Sequence, residues 1–469
     1  MAEDIKSKTS AKGWLVFIII FAYSITVCMG WFNVTGTSVK YALSAGTFGE
    51  LAGIGNAMSA ISLTALIMAF PAGWFIRKWG ARNVIMISMV FSIIGTAIVA
   101  ASGMNNTIFL LGRIVAGIGV GLCGVSCTTL TSLWIADHQK GLALAIWGIW
   151  VPVGMIIIYY AAGPIITAVS GVDYNTFNTV NFTVAALGLN GAPDAGLVAQ
   201  LPAIIAGIDA IWWIIAALVV VELILTFFIV RDPEGDDQTE VSTERVSYSD
   251  PKVKAALKQP QLWFLAIAWL AFNFCNYAFT NNMSTWFSIG GFSWSHDANM
   301  VALANTLFSA CGIIAPFFGI VYDKITKYRK WLFVAFGSLS IALMSCFGFK
   351  AGGDWVFWGY AVFQVLGNCI MIAGVRPYVP MLTGRGGATA VSFGFALVTF
   401  LQQLGNTVSG VAFSAAMGGG TDLAALSFAS MITIVPVGII GFICCCFIRL
   451  PKQAGGPQGG KPEEGQSAQ

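Results

Sequence analysis

Three ionisable side chains interrupt otherwise apolar stretches of this sequence: Arg113, Glu222 and Arg376. A guanidinium removed from water needs an anion, a carbonyl or trapped water, and Arg113 has no acid in its own stretch. One reading has it meet a ligand carboxylate or tune proton transfer; another makes it a structural donor. Arg376 lies near the end of its stretch, where the side chain can snorkel to water, so a structural or gating role is expected. Glu222 is the single carboxylate deep in an apolar run, the default candidate to bind a coupling proton. Amides gather as well: Asn33; Asn273, Asn276 and Asn281 with Tyr277; Asn305; Gln364 and Asn368; Gln402, Gln403 and Asn406. Taken singly, each reads as a helix–helix hydrogen bond. As a set they mark a hydrated or ligand-filled cavity, because polar groups in lipid turn inward unless paired.

No enzyme constellation is found. There is no Cys/His set at metal spacing, no nucleophile–His–acid arrangement and no phosphate-cradling glycine loop. The expectation is therefore no catalysis, no cofactor, no metal and no nucleic-acid partner. What remains is a small-molecule substrate, with a proton or counter-substrate as coupling partner.

The elements that carry these residues are membrane helices. The 469-residue chain is 57% hydrophobic and only 10% charged, too apolar for a water-facing surface. Continuously apolar runs, each long enough for a ~30 Å hydrocarbon core, predict twelve spans. They are Gly13–Val34, Leu51–Ile76, Asn83–Ala101, Thr107–Leu130, Gly141–Gly163, Ile208–Val230, Gln261–Phe287, Asn299–Tyr322, Trp331–Phe349, Trp355–Val375, Ala388–Ala416 and Leu423–Ile448. They lack the alternation of membrane strands, so the fold class is all-α integral membrane.

Nearly all Lys and Arg fall in alternate connections: Lys6 to Lys12, Arg77 to Arg82, Lys140, Arg231 to Lys258, Lys324 to Lys330, Arg385 and Arg449 onward. The opposite side holds Lys40 and Lys350. Both termini are thus expected in the cytoplasm, of a plasma or bacterial inner membrane. The ten Cys lie in or beside the apolar runs, so no disulfide framework is expected. The predicted organisation is a cytoplasmic tail (1–12), a six-helix bundle (13–230), a polar linker (231–260), a second six-helix bundle (261–450) and a disordered tail (451–469). A polar, nearly uncharged outer loop from about Ser170 to Ala206 breaks the symmetry between them.

Matching features recur at one offset, as an internal duplication requires. Gly73-Trp-Phe-Ile-Arg77-Lys78 pairs with Gly319-Ile-Val-Tyr-Asp323-Lys324, and Gly141 through Gly148 pairs with Gly387 through Gly394, both 246 residues apart. The first motif, continuing through Gly80 and Arg82, resembles the loop signature of the major facilitator superfamily, Gly-x-x-x-Asp-Arg-x-Gly-Arg-Arg. Arg113 followed by Gly117, Gly119 and Gly121 is similar to that family's fourth helix. The resemblance implies two pseudo-symmetric bundles rocking about a central site. Spans one, four, seven and ten would line that site, flanked by two, five, eight and eleven, and Arg113 would bond to span-one carbonyls. Spans of this family pair the signature Asp across the halves on the cytoplasmic side. This chain keeps the acid as Asp323 and has Arg77 in its place in the first half, so an asymmetric latch is expected.

The function expected is a secondary or facilitative carrier of a small organic solute, an organic carboxylate being favoured by Arg113 and the amides, working as a monomer. The alternative is a carrier or exporter of larger amphipathic compounds, with aromatics such as Trp31, Trp147 and Trp150 as its wall.

Overall fold

A computed structural model describes residues 9–36, 52–103, 105–172, 195–233, 247, 249–295, 298–384, 387–418 and 422–449. The predicted tail 451–469 and most of the outer loop and linker (173–194 and 234–246) lie outside the described residues.

Among the described residues, eleven helical segments are long and apolar enough to cross a membrane. The remaining predicted span, the eighth, is helical but broken: Ala298–Ala310, a 3-10 turn at Cys311–Ile314, then Ala315–Lys324. Pro316 at the start of the second piece has no N–H to donate back across the break. Counting this broken span, the described residues hold twelve spans, six in each half. Span five is interrupted too, by Ile149 between Lys140–Gly148 and Trp150–Ser170. Span twelve carries one π-helical turn, Ser430–Ile434, just ahead of Pro436. Breaks in spans five and eight fall at the level of the cavity described below, where irregular backbone is tolerated because it lines a cavity and not lipid.

Several boundaries differ from expectation. Span ten runs on from Val375 to Thr383, which puts Arg376 inside the helix, and span five runs on to Ser170. Span six begins at Ala195 and not near Ile208, because the apolar Ala195–Ile229 run continues helically through Pro202. The linker is not wholly irregular: Pro251–Leu257 forms a helix whose Val253 and Ala256 bury against Ala390 at the start of span eleven.

Each half is tied internally by polar contacts. In the first half, Tyr23 Oη bonds Ser88 Oγ at 2.7 Å and Ser92 Oγ at 3.0 Å, joining spans one and three. At the turn after span two, Gly80 has φ 85°, a conformation that costs other residues dearly. Arg82 then donates its backbone N–H to Asp232 (3.2 Å) and its Nη2 to the Phe227 carbonyl (2.6 Å), fastening span three to the end of span six.

The halves meet along two pseudo-symmetric crossings at the end of the molecule that carries most of the Lys and Arg, the basic end. Span two lies on span eleven, with Gly73 beside Ser392, Phe393 and Ala396, and Phe70 against Phe400 at 4.6 Å. Span five lies on span eight. There, a Cβ at Gly319 would come within 2.8 Å of the Gly141 carbonyl, and one at Gly141 would overlap the Asp323 carboxylate. Only glycine at these two positions permits so close a crossing.

Candidate functional site

Beyond these crossings the halves separate around a cavity of about 380 Å³. Its wall comes from spans one, five, seven, eight, ten and eleven. Seven of the predicted amides line it, Asn273, Asn276, Asn281, Gln364, Asn368, Gln402 and Asn406, as do Tyr277 and Arg376. Spans seven and ten bring them together because each presents residues three, four or seven apart to one face. Most of the amides are engaged with the protein. Asn273 Nδ2 donates to the Trp269 carbonyl at 2.7 Å, Gln364 Nε2 to Asn276 Oδ1 at 3.1 Å, and Asn368 Nδ2 to Cys311 Sγ at 3.5 Å.

Arg376 is the only charged residue among the described lining residues. It is 5% exposed, so the expected snorkelling to water is not what the structure shows. Its side chain runs back along span ten toward the cavity, as helical geometry directs, and is held at the floor by aromatic faces. The guanidinium carbon lies 4.1 Å from the Trp147 ring centroid and 5.5 Å from that of Trp269. Trp147 belongs to the first half, Trp269 to the second. Nη2 donates to Gln402 Oε1 at 2.9 Å, and the same oxygen accepts from Trp269 Nε1 at 3.2 Å. Nη1 is buried with no hydrogen-bond partner. Trp147 is itself fixed from behind by its Nε1, which donates to Ser24 Oγ at 3.0 Å.

Arg113 is placed elsewhere. It donates Nη1 to the Gly30 carbonyl at 2.8 Å and Nη2 to the Trp31 carbonyl at 2.9 Å, with its carbon 5.7 Å from the Trp212 ring. It lines a small pocket inside the first half, with Thr26, Ser92 and Trp212, and not the central cavity. This corrects its expectation as a substrate contact. Asn33 and Gln403 are buried but also absent from the cavity wall. The side chain of Asn305 lies outside the described residues. Glu222 accepts from Thr26 Oγ1 at 2.7 Å, on the span-six side of the first half and away from the cavity.

At the basic end, Asp323 takes the backbone N–H groups of Gly141 (2.9 Å) and Leu142 (2.8 Å), across the interface between halves. It caps the start of span five, where a carboxylate meets N–H donors of the first turn and the positive helix end. Burial pushes this carboxyl above the usual range, against the pull of the two N–H bonds and of Lys330. The equivalent position, Arg77, lines a small crevice with Asp232, Ala388 and Thr389 at the start of span eleven.

The aromatic floor was not singled out as a unit from sequence. Trp147 and Trp269 are 122 residues apart in sequence, and no spacing rule links them. Their signal was the placing of Arg376 one or two turns inside a helix that also holds Gln364 and Asn368.

The sequence profile of the Major Facilitator Superfamily matches residues 13–410. The chain belongs to the Major Facilitator Superfamily. Its fold and family are those of transporters and not of enzymes. Over 93% of this chain and 100% of the other, it superposes on the Escherichia coli fucose:proton symporter FucP with TM-score 0.66 at 14% identity. The proton:xylose symporter XylE gives TM-score 0.63 at 13% identity, over 94% and 96%. At such identities the likeness is one of fold. Myo-inositol transporter 2 of Schizosaccharomyces pombe is 26% identical over 30% of this chain and 24% of its own length. Probable anion transporter 5 of Arabidopsis thaliana is 22% identical over 28% and 30%. The aligned stretches thus span less than a third of these relatives.

Proposed function

We propose that this facilitator transporter carries a small organic anion, docked by its carboxylate on Arg376. One observation carries the reading: the described wall holds a single charge, a buried guanidinium whose Nη1 has no hydrogen-bond partner, and no acid beside it. A buried cation so placed favours an anionic ligand, and a bidentate carboxylate is the natural acceptor. The name of the Arabidopsis thaliana relative, an anion transporter, is in keeping with this.

The carrier works by alternating access, as a monomer in the plasma or bacterial inner membrane, with its termini and basic end in the cytoplasm. In this conformation the cytoplasmic crossings are made and the cavity lies on their outer side. FucP in the outward conformation shares this fold. Glu222 is the candidate for a coupling proton, held by Thr26 at a distance from the substrate.

The test is uptake into proteoliposomes of labelled monocarboxylates, dicarboxylates and neutral sugars, with wild type, Arg376→Gln and Arg376→Lys. Saturable uptake of a carboxylate that Arg376→Gln abolishes supports the reading. Uptake of fucose or myo-inositol alone sinks it and favours the polyol reading that the inositol-transporter relative suggests. In the same liposomes, Glu222→Gln should remove any stimulation by an imposed proton gradient while leaving exchange of unlabelled for labelled substrate.

A further inference from the structure

The anion reading leaves open what the carboxylate is attached to, and the remainder of the cavity wall bears on that question. We infer, resting on that reading, that the substrate is a monocarboxylate with one flat apolar body, of the aryl- or arylalkenyl-carboxylate class.

Three observations lead there. First, Arg376 is the only charge on the described wall. A second carboxylate would enter without a cationic partner, and a charge that leaves water unpaired is penalised. Second, three amides that would recognise a polyol spend donors on the protein, Asn273 on the Trp269 carbonyl, Gln364 on Asn276 and Asn368 on Cys311, which leaves Gln364 Oε1 as an acceptor without a partner. A sugar needs several directed hydrogen bonds, and breaking these to supply them would leave other groups unpaired. Third, the space above the guanidinium is bordered by rings from both halves. Trp31 and Phe32 stack at 5.6 Å, and Trp269 and Phe272 at 4.8 Å; Trp150 and Phe308 complete the wall. Flat faces arranged in this way take a planar apolar group by offset or edge contact. The cavity, about 380 Å³, falls in the ~300–1,000 Å³ range of pockets that enclose small ligands. Asn281 and Asn406 also line it and can serve one polar substituent.

The experiment is initial-rate uptake of labelled phenylacetate and labelled acetate by wild-type proteoliposomes, each corrected for protein-free liposomes. Unlabelled cinnamate, malonate, succinate and myo-inositol serve as competitors. Phenylacetate should half-saturate at about tenfold lower concentration than acetate or less, and cinnamate should compete better than either dicarboxylate. Trp150→Ala and the milder Phe308→Leu should raise the phenylacetate KM by a clearly larger factor than the acetate KM. That split separates loss of a wall contact from general damage. Malonate or succinate competing better than cinnamate would overturn the inference and leave the anion reading standing. So would a Phe308→Leu carrier with unchanged preference for phenylacetate over acetate. If no carboxylate is transported while myo-inositol is, the anion reading falls first and this one with it.

Discussion

Two buried guanidiniums, one in each half, stand in opposite circumstances. Arg113 spends its donors on two carbonyls of span one and lies 1% exposed within a single bundle. Arg376 shares one donor with Gln402, keeps Nη1 without a hydrogen-bond partner, and rests on an indole from each half. Both look alike in sequence, as single arginines in apolar helices. The difference is what the neighbouring helix offers. Span one presents backbone carbonyls to Arg113 near Gly30, whereas Arg376 meets ring faces, which attract a cation without satisfying its N–H groups. A satisfied charge is structural. An incompletely satisfied one at a cavity floor is where a ligand can contribute most.

The sharpest way to break that comparison is to neutralise each arginine in turn. Arg376→Gln should lower substrate uptake about 100-fold, roughly 2.8 kcal/mol, with the protein still folded by gel filtration and thermal melting. Arg113→Met should do the reverse. It leaves two span-one carbonyls short of a donor, so a thermal-unfolding assay in detergent should show a loss of about 1–3 kcal/mol, while uptake per folded molecule stays close to wild type. Equal losses of uptake in the two variants would erase the distinction.

A second comparison concerns the two crossings at the basic end. Gly141→Ala places a methyl group against the Asp323 carboxylate and should pry spans five and eight apart. Uptake should fall several-fold, and Cys311 in the cavity wall should react more slowly with an impermeant maleimide added from outside. That labelling is best read in a Cys346→Ser, Cys446→Ser background. Arg77→Asp should act oppositely, by presenting a carboxylate to the start of span eleven as Asp323 does to span five. A helix-end charge is worth about 0.3–1 kcal/mol, so turnover should slow by about two- to fivefold and Cys311 labelling should rise. Asp323→Asn should have the smallest effect. An amide oxygen still accepts from Gly141 or Leu142, and burial already disfavours the charged form that is lost.

Most of the helices were legible because a lipid-facing chain must satisfy every backbone group within itself, which leaves long apolar runs as an unambiguous mark. The start of span six at Ala195 and the linker helix Pro251–Leu257 were not. Both are short or mixed segments whose helicity depends on what they pack against, as Val253 does on Ala390. The amides of spans seven and ten read as a cavity because so many polar groups in membrane helices must turn inward, and these residues do line the central cavity. The roles of the two arginines read less well, since a carbonyl, a ring or a ligand can each receive a guanidinium.

From sequence alone come the solvent, the helix count, the duplication and the family, since composition, hydropathy and a fixed 246-residue offset are properties of the chain as a string. Which glycines let two halves close, which arginine is satisfied and which faces the cavity were decided by tertiary structure. Those outcomes rest largely on contacts between residues distant in sequence, such as Trp147 with Arg376 and Asp323 with Gly141. Such pairs leave no periodic trace in a single sequence, because their energies exist only once the two bundles have met.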